Sequence, residues 1–242
     1  MGIVSGGRTN YGEAIGILML DTKFPRIPGD VGNASTFPFP VRFQIVEGAS
    51  PARVVKEGDS SLLQPFIDAA ISLEKAGVRA VTTSCGFLAM FQQEVAQALT
   101  IPFFSSSLIQ VRMAGQIIGA GKKVGIITAR AVSLTDRHFK AVGIEDVPKV
   151  VVGMEDTEEF NATFIGGKES IHVEKAEKEI VDKAKTLIAT NPDVGGIVLE
   201  CTNMCPFAAA IQEAVKLPVF DIVTLTNYIY AVTCRSRYSG LY

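Results

Sequence analysis

Histidine is nearly absent from this chain, with His138 and His172 the only two in 242 residues. Neither is placed to serve a cysteine-protease nucleophile, and the single close cysteine pair, Cys201 and Cys205, lacks the further ligands of a structural zinc site. Cysteine is sparse as well. Four in a chain of this size are too few for a disulfide framework, and their apolar surroundings suit reduced thiols. Charge of either sign is not in excess: 23 Lys and Arg stand against 25 Asp and Glu, a formal net charge of −2. Scattered as they are, these charges form no basic face, which excludes nucleic acid as an expected partner. Gly, Pro and charged residues interrupt every apolar run before it could cross a bilayer. The opening residues Met1 to Gly6 lack the basic and apolar regions of a signal peptide, and Gly6 breaks the myristoylation pattern. A cytoplasmic protein without a membrane or nucleic-acid partner is expected. Nucleotide patterns are missing too, because Gly119, Gly121 and Gly125 precede a strand instead of following one and Gly121-Lys122 has no Ser or Thr after it. No cofactor and no metal are expected.

What the chain has is a hydrophobic content of 48%, ample for packed cores, and an internal copy. The segment VRAVTTSCGFLAMFQQEVAQALTIPFFSSSL around Cys85 and the segment VGGIVLECTNMCPFAAAIQEAVKLPVFDIVTL around Cys201 align at a displacement of 116 positions. Phe91, Ala98, Pro102 and Phe104 then fall on Phe207, Ala214, Pro218 and Phe220. Each copy has an apolar run ending in a cysteine, an amphipathic stretch and a short Pro-containing apolar run, which predicts strand, turn, helix, strand.

Around the copies, Ile15 to Leu20 predicts a buried first strand ending at Asp21. Thr22 to Pro40 holds Lys23, Arg26, Asp30 and Asn33 among prolines and glycines without periodicity, the pattern of a binding loop lying over a site. Strands are predicted at 41–46, 78–83, 100–104, 123–128, 150–152, 195–199 and 219–222. Helices are predicted at 60–76, 87–99, 105–118, from Ser133 or Thr135 to Gly143, 170–190, 206–215 and 225–234, while 155–168 looks irregular. Alternating strands and helices imply an α/β fold with parallel sheets, and the copy implies two similar halves. If each copy's last strand leads onward, residues 1–106 with 217–242 form one discontinuous domain and 107–216 the other.

In a parallel sheet, ligands collect outside the carboxyl ends of the strands. Both cysteines are expected there, each before a helix N-terminus, whose unpaired N–H groups and partial positive charge bind carboxylates and favour thiolate. Two such edges facing one another would place two thiols across one cleft, suited to taking a proton from one face of a carbon and returning one to the other. Hydroxyl or amide groups bracket both: Thr82, Thr83 and Ser84 precede or adjoin Cys85, and Thr202 and Asn203 follow Cys201. Cys205 and Cys234 are expected to be structural. His138, beside Arg137 and Lys140, is expected on a solvated face.

At Thr-Thr-Ser-Cys85 and Glu-Cys201-Thr202 the chain resembles the aspartate/glutamate racemase superfamily, related to hydantoin racemases, maleate isomerases and arylmalonate decarboxylases. The resemblance implies two pseudosymmetric Rossmann-like domains with the active site in the cleft between them, and a homo-oligomer. It implies a cofactor-independent racemase or epimerase of a small carboxylate, aspartate- or glutamate-like, with Cys85 and Cys201 exchanging acid and base roles. Thr83, Ser84, Gly86 and Thr202 would help hold the substrate carboxylate, with Asp21, Asn33 and Asn203 completing the expected binding set. Gly86-Phe87 stands where many amino-acid racemases have Asn-Thr, and Cys201-Thr202-Asn203 is similar to the second motif of maleate isomerases. Isomerisation or decarboxylation with one cysteine, and non-catalytic binding of a small anion, are the alternatives.

Overall fold

The computed structural model describes residues 3–241. Two four-stranded parallel sheets carry the same strand order. In the first, β1 (Ile15–Leu20), β2 (Val41–Val46), β3 (Ala80–Thr83) and β4 (Phe103–Phe104) lie in the order β2-β1-β3-β4. In the second, β5 (Lys123–Thr128), β6 (Lys149–Gly153), β7 (Val194–Leu199) and β8 (Val219–Phe220) lie in the order β6-β5-β7-β8. Every residue of β1 is buried, as a central parallel strand covered on both faces requires. The covering helices press close. A Cβ on Gly16 of β1 would stand 2.9 Å from Leu73 of helix α1 (Leu63–Ala76). The helices α2 (Gln92–Ala98), α3 (Gln110–Ile117) and α4 (Asp136–Ala141) come next. On Gly125 of β5 a Cβ would stand 2.7 Å from Leu187 of α5 (Val173–Thr190). Glycine on the central strand and leucine on the helix thus recur in both halves.

The copied segments keep their displacement in three dimensions. A six-residue 3₁₀ turn, Gly86–Phe91, follows Cys85, and its counterpart Thr202–Phe207 follows Cys201. Only then do α2 and α6 (Ala208–Val215) begin. The expected α-helices starting at Phe87 and Pro206 are therefore shorter, and each cysteine caps a 3₁₀ turn instead. Pro206 sits inside that turn.

The chain crosses between the halves twice. After β4, α3 packs on β5 and β7 of the second sheet. Val219–Phe220, expected to return to the first half, pairs with Ile197 and Val198 of β7 and stays in the second sheet. The return is made by α7 (Ile222–Thr233), whose Ile222 and Leu225 are buried with Ile15, Ile17 and Ala80. Cross-half bonds tie the exchange: Ser107 Oγ donates to Leu199 O at 2.6 Å, and Gln110 Nε2 to Asp221 O at 2.7 Å. Such buried bonds contribute about 1 kcal/mol each. No helix among the described residues is long and apolar enough to cross a membrane.

Candidate active site

The carboxyl ends of β3 and β7 meet, and Cys85 and Cys201 line one cavity between them. The joint is made by backbone and hydroxyls. Thr202 Oγ1 donates to Ser84 O at 2.7 Å, and Ser84 Oγ accepts from Leu20 N–H at 3.0 Å. Thr83 Oγ1 donates to Ser105 O at 2.7 Å and accepts from Cys85 N–H at 3.3 Å. Its hydroxyl is consumed in shaping the turn beneath the thiol, and Thr83 does not line the cavity. Ser84, Gly86, Thr202 and Asn203 do line it.

Two more of the expected binding residues lie outside the cavity. Asp21 is exposed and lines a surface depression with Lys23 and Glu169. Side chains alternate along an extended strand, so with Leu20 on the cavity side Asp21 turns away. Asn33 caps the 3₁₀ turn Ala34–Thr36, accepting from Ser35 N–H at 2.9 Å and donating to Arg26 O at 2.8 Å. It holds the loop's shape outside the cavity lining.

That loop, expected to lie over a site, supplies Arg26 and Asp30, which were not in the expected binding set. Arg26 lines the cavity and pairs with the buried Asp30 at 2.7 Å, while the other Asp30 oxygen accepts from Asn203 Nδ2 at 2.8 Å. Asn203 Oδ1 in turn receives the Cys201 thiol at 3.6 Å. A relay of Arg26, Asp30 and Asn203 thus joins the loop to the second cysteine. Gly29 permits it: at φ 96°, a conformation glycine adopts without strain, its Cα lies against Pro206, where a Cβ would stand 2.9 Å away. The cavity wall is aromatic. Phe24 and Phe164 meet edge to face at 5.1 Å, Arg26 lies over Phe24 at 4.8 Å, and Phe87 completes the wall.

Behind Phe87 stands His138, ring centroids 5.5 Å apart and perpendicular. The solvated position expected for it is overturned, since it is buried and its Nδ1 accepts from Thr135 N–H at 3.1 Å, closing the capping box of α4. Burial lowers its pKa, which favours the neutral ring.

The electrostatics oppose thiolate at both cysteines. Burial pushes the Cys85 thiol up to about 12 and the nearby Glu200 carboxyl adds to this, whereas the N–H groups of Phe87 and Leu88 and the Arg26 guanidinium pull it down. Cys201 is driven well above its ordinary value by burial, then by Glu200, with Asn203 N–H opposing and Cys85 and Asp30 adding. Glu200 itself is fully buried, and burial raises it to about 8 against the Thr128 hydroxyl bonded to it at 2.7 Å. Its signal was present as a carboxylate closing the apolar run VGGIVLE. Cys205 is buried with Ile222 and Leu225, and Cys234 packs beside the same cluster. Among the described residues, a wider apolar groove between α3 and α7, lined by Met113, Phe220 and Tyr228, holds no cysteine, histidine, carboxylate or cation. Among the described residues no group of three His, Cys, Asp or Glu is placed to hold a metal.

The family model described as Asp/Glu/Hydantoin racemase matches residues 44–226. A dimethylsulfoniopropionate lyase of Durusdinium sp. clade D is 34% identical over 223 residues, covering 89% of this chain and 73% of that protein. Dimethylsulfoniopropionate lyase 5 of Emiliania huxleyi (strain CCMP1516) is 29% identical over 239 residues, 94% of this chain and 47% of that one, so the chain spans about half of this longer relative. Among solved structures, allantoin racemase from Klebsiella pneumoniae superposes with a TM-score of 0.63 at 12% identity, covering 94% of this chain and 97% of its own.

Proposed function

The chain belongs to the Asp/Glu/hydantoin racemase family, and from that premise we propose that it is a cofactor-independent lyase acting on a sulfonium-bearing carboxylate of the dimethylsulfoniopropionate type. One cysteine, as its thiolate, removes the proton next to the carboxylate. The electron pair so released forms the carbon–carbon double bond, and the bond to the sulfonium sulfur breaks with its electrons passing to sulfur. Dimethyl sulfide leaves as a neutral molecule, acrylate remains, and the base ends as a thiol. The leaving group needs no proton, so a single base suffices.

The observation that carries this reading is the charge balance around the thiols. Both are pushed up by burial, and the one cation among the described residues that line the cavity, Arg26, is already paired with Asp30. A substrate bearing its own positive charge next to a thiol lowers that thiol's pKa on binding, as an opposite charge close by does. The aromatic wall of Phe24, Phe87 and Phe164 suits a sulfonium better than an ammonium. It offers π faces to a cation and no acceptors for N–H groups, which would lose hydrogen bonds on burial. The local charges favour Cys85 as the base, because Arg26 and two N–H groups act on it while the Cys201 proton is held toward Asn203.

Headspace measurement of dimethyl sulfide from purified protein and dimethylsulfoniopropionate tests this. Release with stoichiometric acrylate is the expected result. The paired thiols also support a second reading, racemisation of a small amino acid by two bases. Solvent deuterium entering the α-carbon of aspartate or glutamate, with no sulfide released, would favour it and overturn the lyase.

A further inference from the structure

We propose that Glu200 is the positioning residue that governs thiolate formation at both cysteines: ionised, it holds the proton on Cys85 and Cys201, and neutral, it relaxes that hold. The inference rests on the thiol chemistry above, but its test uses no substrate, so either can fail alone.

Three observations place Glu200. It directly precedes Cys201 and is fully buried, with its Oε2 accepting from Thr128 Oγ1 at 2.7 Å. Its Oε1 has no hydrogen-bond partner among the described residues. That oxygen is aimed across the joint at the first half's cysteine turn: a Cβ on Gly86 would lie 2.4 Å from it, so the approach exists only because residue 86 is glycine. Ser84, which occupies the corresponding position in the first half, is uncharged and accepts from Leu20 N–H. A carboxyl here is thus not demanded by the fold, and a buried carboxyl without full hydrogen bonding is costly.

The groups around Glu200 are few. Thr128 bonds it from β5, its charge acts on Cys85 and on Cys201, and of the loop after β1 Arg26 acts on Cys85 and Asp30 on Cys201. Among the described residues no cation bonds it, and it bonds neither sulfur. Its influence on the thiols is therefore electrostatic, and it opposes a second negative charge at either one.

Coupled titration turns this into a distinctive pH signature. The form carrying a Cys85 thiolate and a neutral Glu200 has the same proton count as the form carrying an ionised Glu200 and a thiol. The thiolate population consequently rises with pH only until Glu200 ionises, near pH 8, and then levels off far below the thiol's own titration. Neutral glutamine at this position removes the ceiling and leaves the low-pH population unchanged.

The test is the pH dependence of alkylation of Cys85 by iodoacetamide, followed at that residue by mass spectrometry, in the whole protein and in Glu200→Gln. Expected are matching rate constants near pH 7, a plateau of the unsubstituted protein above about pH 8, and a continued rise in Glu200→Gln to about a tenfold excess at about pH 9. Parallel profiles in the two proteins would overturn the proposal. Thr128→Val provides an independent check, since losing the hydroxyl that lowers the Glu200 pKa moves the plateau to higher pH. An unmoved plateau in that variant would count equally against it.

Discussion

Replacing Gly86 by alanine is expected to disable the site while leaving the fold standing. The new methyl would lie 2.1 Å from Glu200 O and 2.4 Å from Glu200 Oε1. Carbon and oxygen in ordinary contact stand above 3 Å, so the turn after Cys85 and the end of β7 must part by about 1 Å. The nearer obstacle is backbone and cannot rotate away. Parting them strains Thr202 Oγ1 to Ser84 O and Ser107 Oγ to Leu199 O, the bonds that hold the halves at this joint. Overpacking of this kind costs about 1–3 kcal/mol, a loss the two weakened bonds, about 1 kcal/mol each, account for in part. Catalysis suffers more, because a displacement of about 1 Å between reacting groups costs on the order of 100-fold. Urea denaturation and turnover of dimethylsulfoniopropionate, measured on the same preparation, separate the two effects. Gly86→Ala with unchanged stability and turnover within twofold would refute the close approach on which the joint depends.

Two further outcomes follow from the same geometry. Glu200 titrates at 4.5 in its unperturbed state and at about 8 when folded; between these values the unfolded chain has released a proton that the folded chain keeps, so stability falls as pH rises through this window. Glu200→Gln should flatten that slope in a series of denaturation midpoints, leaving the part due to Asp221, whose carboxyl burial also raises, and an unchanged slope would place the titration elsewhere. Phe24→Leu removes an aromatic face from the cavity wall, and with cation–π attraction worth roughly 0.5–2 kcal/mol KM for dimethylsulfoniopropionate should rise by about 2- to 30-fold with kcat less affected; an unaltered KM would argue against sulfonium binding at that wall.

The parts of the fold that rest on periodicity and on the copy were legible in the chain. Lys123–Thr128 appears as a strand with the boundaries the residues KVGIIT imply, and Thr135 caps α4. The displacement relating Cys85 to Cys201 extends to the turns, to α2 and α6, and to β4 and β8. What escaped was set by tertiary contact. The 3₁₀ turns after the cysteines replace α-helix because the two halves meet there, with Thr202 bonded to Ser84 O and Glu200 against Gly86. His138 looked solvated beside Arg137 and Lys140, yet its ring is the cap of its own helix and the backing of Phe87. Arg26 and Asp30 were visible as charges in a proline-rich loop, but a partner 173 positions away in Asn203 leaves no local trace. Asp21 failed as a cavity residue for a local reason, the alternation of an extended strand, that could have been applied to the sequence itself.

The copied cysteines now stand as unequal members of one site, Cys85 served by Arg26 and two N–H groups, and Cys201 held toward Asn203. The decisive measurement is kcat for dimethyl sulfide release by Cys85→Ser and Cys201→Ser. Removal of a general base costs about 100- to 10,000-fold, so Cys85→Ser should fall by that amount and Cys201→Ser by much less. Full turnover by Cys85→Ser would contradict the assignment of the base, and with it the claim that this thiol pair carries out the elimination.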